Sequence, residues 1–246
     1  DTAVQLSATD NICGIAKTFY SIDESKFTEG TSFKISEEGN HKVSFYSIDN
    51  AGNVEEIKNV EVKVDNTPPT TTSNVTDGSV ELTATDNLSG VDKTFYSIDG
   101  SKFTEGTNFT VSEEGNHKVS FYSIDKAGNK EEIKTVEVKV DKTPPATTSN
   151  VNDGWYKENV AVKLEATDNL SGVDKTFYSI DGSSFTEGTS FTISEEGIHK
   201  VSFYSVDKAG NKEEIKTVEV KIDKTPPTTT SNVIDSWYKE NVAVQL

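Results

Sequence analysis

Residues 135–141, TVEVKVD, alternate apolar and charged side chains, with Val136, Val138 and Val140 on one side and Glu137 and Lys139 on the other. Successive side chains of an extended chain point to opposite faces, so this period of two predicts a strand buried on one face. The stretches 117–125, HKVSFYSID, and 160–166, VAVKLEA, alternate in the same way. Residues 93–100, KTFYSIDG, are rich in aromatic and β-branched types and stop at Asp-Gly, a hairpin-turn signal. Shorter strands are expected around Phe103 and Phe109, with both rings in the core. No window carries a helical period.

The whole pattern then recurs. The motif ATDN puts Asp10, Asp86 and Asp168 in register, 76 and 82 residues apart. The loop YSIDKAGN at 122–129 returns as YSVDKAGN at 204–211 and YSIDNAGN at 46–53. About seven short strands per repeat, with turn signals between them, predict an all-β chain of tandem Greek-key β-sandwiches. The expected boundaries are 1–66 (a repeat without its opening strand), 67–142, 143–224, and 225–246 as the opening strand of a further repeat. Leu6, Leu82, Leu164 and Leu246 are equivalent, which fits either an arbitrary cut in a longer array or a periodic fibre. The repeats are joined by VDNTPP (64–69), VDKTPP (140–145) and IDKTPP (222–227). Paired prolines donate no ladder hydrogen bonds and hold the chain extended, so short stiff connectors and an extended rod are expected.

The segments ATDNLSGV, YSIDG, EGNHKVSFYS, DKAGN and VKVDKTPP resemble the bacterial Ig-like surface repeats of secreted and cell-wall proteins and of some large adhesins. The resemblance covers essentially the whole chain. It implies Ig-like sandwiches, an extracellular or cell-surface location, and a structural role as a stiff stalk or fibre. Two other roles remain open: an adhesin segment with its own ligand site, and an accessory stalk of a secreted enzyme. The EEG-x-H stretches also resemble the tyrosine-corner position of Ig sandwiches, with His41, His117 and His199 in place of tyrosine.

Composition narrows the function classes. The net charge is −17 and all 24 basic residues are lysines spread along the chain, so no basic patch is available for nucleic acid. A single cysteine, Cys13, stands where the other repeats have Ser89 and Ser171, which excludes an intrachain disulfide. No segment is apolar enough to suggest membrane insertion. Catalysis calls for one asymmetric constellation, whereas nearly every polar feature here occurs three times, so no enzyme activity is expected. The glutamates of SEEG (112–115) and KEEIK (130–134) are expected at solvated strand ends. Trp155-Tyr156 and Trp237-Tyr238 are expected to pack at the first strand turn or against a neighbouring repeat, ahead of a carbohydrate platform.

One constellation is expected from topology. In an Ig sandwich the loop between the second and third strands (ATDN) and the loop between the last two (DKAGN) share one pole. The connector from the preceding repeat arrives there too. Asp65 should therefore lie near Asp86, Asn87, Asp125 and Asn129, and Asp141 near Asp168, Asn169, Asp207 and Asn211. Aspartates converging with amide and carbonyl oxygens suit Ca²⁺, the one cofactor these residues suggest, and would repel one another without a cation. A pure turn reading leads this one: Asp accepts local N–H bonds, and Gly and Asn tolerate positive φ. Either way the loops form the joints, and the expected partners are neighbouring repeats of the same or an identical chain, with a host or cell-wall ligand unspecified.

Overall fold

A computed structural model describes residues 2–245, all strand, turn and loop; Leu246, expected to match Leu164, lies outside the described residues. The chain divides into two compact units, 1–140 and 141–246.

Unit one holds two repeats. The first has β1 (Thr2–Gln5), β2 (Ile15–Ile22), β3 (Thr28–Glu29), β4 (Ser32–Ile35), β5 (Gly39–Asp49) and β6 (Lys58–Val64). They form the sheets β1-β4 and β3-β2-β5-β6. The second has β7 (Thr70–Thr76), β8 (Ser79–Thr85), β9 (Val91–Ile98), β10 (Thr104–Glu105), β11 (Asn108–Thr110), β12 (Gly115–Asp125) and β13 (Lys134–Val140). Its sheets are β11-β8-β7 and β10-β9-β12-β13, the seven-strand Greek-key sandwich that the alternation predicts. Unit two holds β14 (Ala146–Ser149), β15 (Trp155–Tyr156), β16 (Val160–Thr167), β17 (Val173–Ile180), β18 (Thr186–Glu187), β19 (Ser190–Ile193), β20 (Gly197–Asp207) and β21 (Lys216–Ile222). Here the sheets are β14-β16-β19 and β15-β21-β20-β17-β18. Residues 223–245 contain no strand.

The inward positions of facing sheets make each core. In the second repeat, Val80 and Leu82 of β8 meet Val119 and Phe121 of β12 and Val138 and Val140 of β13. Val119 and Val138 have no exposed surface, and each such side chain contributes about 1.5–3 kcal/mol by leaving water. Phe109 leans on this core and stacks on Tyr96 at 3.6 Å. Phe103, expected in the core, instead packs outside the sandwich. It meets the edge of Tyr122 at 4.9 Å, and the Lys130 ammonium sits 3.7 Å above the same ring. Tyr122 follows the buried Phe121 along β12, so its ring points the other way and offers Phe103 an outer apolar surface. Trp155 is mostly exposed, while Tyr156 packs on the core of its repeat and β15 pairs in parallel with β21.

The corner histidines are buried and doubly bonded. In the second repeat, His117 Nε2–H donates to the Glu113 carbonyl at 2.9 Å and Nδ1–H donates to Asp99 Oδ2 at 2.7 Å. The same carboxylate accepts the Lys118 N–H at 2.8 Å. His41 with Asp23 and Glu37, and His199 with Asp181 and Glu195, repeat the arrangement. Both ring nitrogens face acceptors, so both must carry protons, and the ring is an imidazolium. The aspartate bond, foremost, raises each histidine above its ordinary 6.5. The histidine bond, foremost, lowers each aspartate below its ordinary 3.8.

Two predictions follow from the corner and its hairpin. A raised histidine pKa stabilises fully below 6.5 and is lost as pH climbs through the folded value, while a lowered aspartate stabilises above 3.8 and is lost as pH falls. Thermal unfolding should therefore peak between pH 3.8 and 6.5 and decline on the alkaline side, and His117→Gln should flatten the second repeat's share of that decline. The adjoining turn takes positive φ at Asp99 (50°) and Gly100 (75°), but the first repeat places Glu24 at φ 61° beside Asp23. A left-handed non-glycine is strained, so Glu24→Gly should stabilise the first repeat by about 0.5–1 kcal/mol in denaturant titration.

Candidate functional site

The alternation of β12 carries the chain into the loop pole. Val119, Phe121, Ser123 and Asp125 all face inward, and Asp125 is 1% exposed. Its buried carboxylate ties the loop that follows. Oδ1 accepts the Asn129 N–H at 2.7 Å, and Oδ2 accepts the Asn129 side-chain amide at 2.7 Å. Gly128, at φ 93°, supplies the left-handed residue. The ATDN loop closes on Asp86, whose Oδ2 accepts the N–H of Leu88 at 3.0 Å and of Gly90 at 2.8 Å.

The connector completes the site. Asp65 Oδ2 accepts the Ser89 N–H at 2.9 Å, and its Oδ1 accepts the Thr67 N–H at 3.1 Å. The Asp65 carbonyl accepts the second hydrogen of the Asn129 amide at 3.0 Å. The Ser89 side chain, aided by the Ser89 and Thr67 N–H groups, holds the Asp65 carboxyl below its ordinary value against the opposing effect of desolvation. Carboxylate oxygens of Asp65, Asp86 and Asp125 lie within 4.8 Å of one another. Asp86 Oδ1 and Ser89 Oγ are buried there with no hydrogen bond of proper geometry.

Unit two contains the same arrangement. Asp141, Asp168 and Asp207 gather within 4.8 Å. Asp168 Oδ1 and Ser171 Oγ are again buried and unsatisfied. Asn211 donates to the Asp141 carbonyl and to Asp207. Of the expected residues, Asn87 turns elsewhere: its amide donates to Glu38 Oε1 at 2.6 Å, and Asn169 is exposed beside Asp168. Glu38 Oε2 also accepts the Thr67 hydroxyl at 2.6 Å, so one carboxylate of the first repeat holds both the connector and the second repeat's loop.

A cation bound at about 2.3–2.6 Å to two oxygens keeps them within about 5 Å, and the clusters meet that condition. Orphaned buried oxygens beside three carboxylates form a hard-oxygen donor set, which fits Ca²⁺ better than softer metals. Asp65, Asp86, Asp125 and Ser89 would hold it in unit one, and Asp141, Asp168, Asp207 and Ser171 in unit two. The loop hydrogen bonds are those of the turn reading as well, so the two readings coexist. Sequence reasoning had no role for Ser89 and Ser171, noticed only as the partners of Cys13, nor for Glu38.

A second polar network corrects the expectation for KEEIK. Glu131 and Glu213 are buried, at 7% and 6% exposure, where solvated strand ends were expected. Glu131 accepts the Thr71 hydroxyl and the Ser123 N–H through Oε1, and the Thr71 N–H and Lys134 ammonium through Oε2. Lys134 donates onward to the Thr71 carbonyl at 2.9 Å. Desolvation is the strongest single influence on Glu131 and pushes it up, but the bonds from Thr71, Lys134 and Ser123 together outweigh it and leave the carboxyl below its ordinary value. The network pins the opening strand β7 to the opposite sheet, and Glu213 pins β14 through Thr147 in the same way.

A two-sheet Greek-key sandwich, repeated in tandem with connectors seated in the next loop pole, is an immunoglobulin-like module array. The family described as bacterial Ig-like domain matches residues 15–66, 70–142 and 154–224, and the chain belongs to it. No curated protein matches the chain in sequence. Among solved structures, the fibronectin(III)-like modules of Clostridium thermocellum CbhA are 13% identical, covering 86% of this chain and 98% of theirs at a TM-score of 0.30. The FN1–FN3 domains of chicken CNTN1 are 8% identical, covering 83% and 91% at 0.31. The BSP domain of a biofilm associated protein is 12% identical, covering 76% and 43% at 0.22.

Replacing Glu131 by alanine strands the Thr71 and Ser123 groups in the interior. Glu131→Ala should destabilise the second repeat by about 3 kcal/mol in denaturant unfolding, far more than Glu132→Ala on the exposed side of the same turn.

Proposed function

We propose that this chain is a non-catalytic structural module of a bacterial extracellular or cell-surface protein, a stalk whose joints are locked by calcium. The observation that carries the reading is the buried, unsatisfied Asp86 Oδ1 among three carboxylates, recurring at Asp168. Membership of the bacterial Ig-like family supports the location and the structural role. The grip of Glu38 on Thr67 and Asn87 supports a joint that resists bending, because the loop and the connector are held by one side chain. The stiffness expected of the Pro-Pro connectors supports the same role. A cation at the pole would neutralise the converging charge and tie the connector to both loops, which stabilises the joined state without touching either core.

Calcium titrated into the chelated protein should release heat and raise the unfolding midpoint. The gain follows RT ln(1 + [L]/Kd), about 2.7 kcal/mol at a hundredfold excess over Kd. Asp86→Ala and Asp168→Ala should each remove one site and leave the other. No heat and unchanged unfolding at millimolar calcium would leave these loops as turns alone.

A further inference from the structure

The outer face of the larger sheet carries the same ring cluster in every repeat. In the first repeat Phe19 stacks on Tyr46 at 5.1 Å and Phe27 meets it edge-on at 5.0 Å. In the second, Phe95 and Phe103 hold Tyr122 at 5.2 and 4.9 Å, and in the third Phe177 and Phe185 hold Tyr204 at 5.1 and 4.9 Å. The aromatic frame is therefore common to all three. What lies over the tyrosine is not. Lys130 places its ammonium 3.7 Å from the centre of the Tyr122 ring, and Lys212 places its own 3.9 Å from the centre of Tyr204. Both lysines leave the backbone at the same site, bridged to Ile124 and to Val206. In the first repeat Val54, bridged to Ile48, holds that site.

The exchange removes the cation and leaves its seat. Val54 is 61% exposed and too short to bring anything over the ring. A pocket of about 280 Å³ opens beside Tyr46, lined by Phe27, Tyr46, Ile48, Val54, Glu55 and Ile57. The face of an aromatic ring is negative, so a cation above it is attracted by the ring quadrupole. Phe27 brings a second ring to the same pocket, and Ile48, Val54 and Ile57 supply apolar walls. Glu55 carries the one carboxylate among these lining residues, and it is already paired with Lys58 at 3.0 Å. A primary ammonium has three N–H donors to satisfy and keeps its water, as the exposed Lys130 and Lys212 do. A quaternary ammonium has no N–H donor, and its methyl groups gain from apolar walls. The net charge of −17 favours cations in general.

We propose that the first repeat binds a small quaternary amine of the choline class, with its trimethylammonium group over the face of Tyr46. The group takes the place that Lys130 and Lys212 fill from within their own repeats. The three repeats thus share one cation seat, self-occupied in two of them and open to a ligand in the first.

Tetramethylammonium chloride or choline chloride is titrated into the full chain, with calcium and ionic strength held constant so that the result does not turn on calcium at the loops. Either should move the Tyr46 ring signals in NMR along a saturating curve, and Tyr46→Phe assigns those signals. One ring face supplies most of the attraction, so a midpoint on the order of millimolar to tens of millimolar is expected. The neutral tert-butyl analogue of choline has the same shape without the charge and should bind more weakly by roughly fivefold or more. Val54→Lys, at an exposed position, should unfold like the parent, supply its own ammonium, and weaken choline at Tyr46 by roughly tenfold or more. Lys130→Val should give Tyr122 a response that it lacks in the parent. The proposal is overturned by no saturating shift at Tyr46, by equal binding of the neutral analogue, by an unchanged midpoint in Val54→Lys, or by no gain at Tyr122 in Lys130→Val.

Discussion

A carboxylate accepting backbone N–H bonds is the interaction on which most of this protein's irregular structure depends. Asp99 joins the hairpin to the corner histidine and to the Lys118 N–H. Asp125 holds one polar loop, Asp86 the other, and Asp65 the connector. Glu131 pins the opening strand across the sandwich. Strands satisfy their own backbone through ladders, but tight loops leave N–H groups turned inward with no carbonyl in reach. A short acidic side chain presents several lone pairs from one anchor point and suits that gap. The acidity of the chain is thus partly a structural requirement, beyond any benefit to solubility.

The same device sets up a conflict. Each carboxylate that ties a loop brings a full charge with it, and at the pole three of them meet. Hydrogen bonds offset desolvation for the oxygens that make them, as at Asp125, but Asp86 Oδ1 has no such bond. Elsewhere the charge is balanced locally: His117 answers Asp99, and Lys134 answers Glu131. The pole therefore differs from the other acidic sites in kind, with converging charge and orphaned oxygen in one place.

Much of this was legible in the sequence. Parity put Val119 and Phe121 on one face of β12; the same alternation runs on to Asp125, but the DKAGN turn signal masked it as a loop residue, and its burial was not read. Chain order in a Greek key brought Asp65, Asp86 and Asp125 to one pole. Glu131 was not legible, because it follows the strand, where no period applies, and its burial is imposed by Thr71, 60 residues away. Phe103 misled for a related reason: hydrophobicity says that a ring will be covered but not by which face, and Tyr122 covered it from outside. The direction of Asn87 depends on Glu38 in another repeat, a contact that no local pattern announces.

The first repeat makes the dependence on neighbours concrete. Its loop aspartate, Asp10, accepts the N–H groups of Ile12, Cys13 and Gly14, and these hold its carboxyl down to about 2. Asp86, facing the same loop, gives up the middle N–H to Asp65 and keeps the outer two. The loop can thus satisfy itself or hand one donor to an arriving connector with little rearrangement. Asp49 is part-exposed, whereas Asp125, beside the seated connector of the second repeat, is buried. The bond a connector makes thus replaces one the loop can make for itself, and the groups around it are buried.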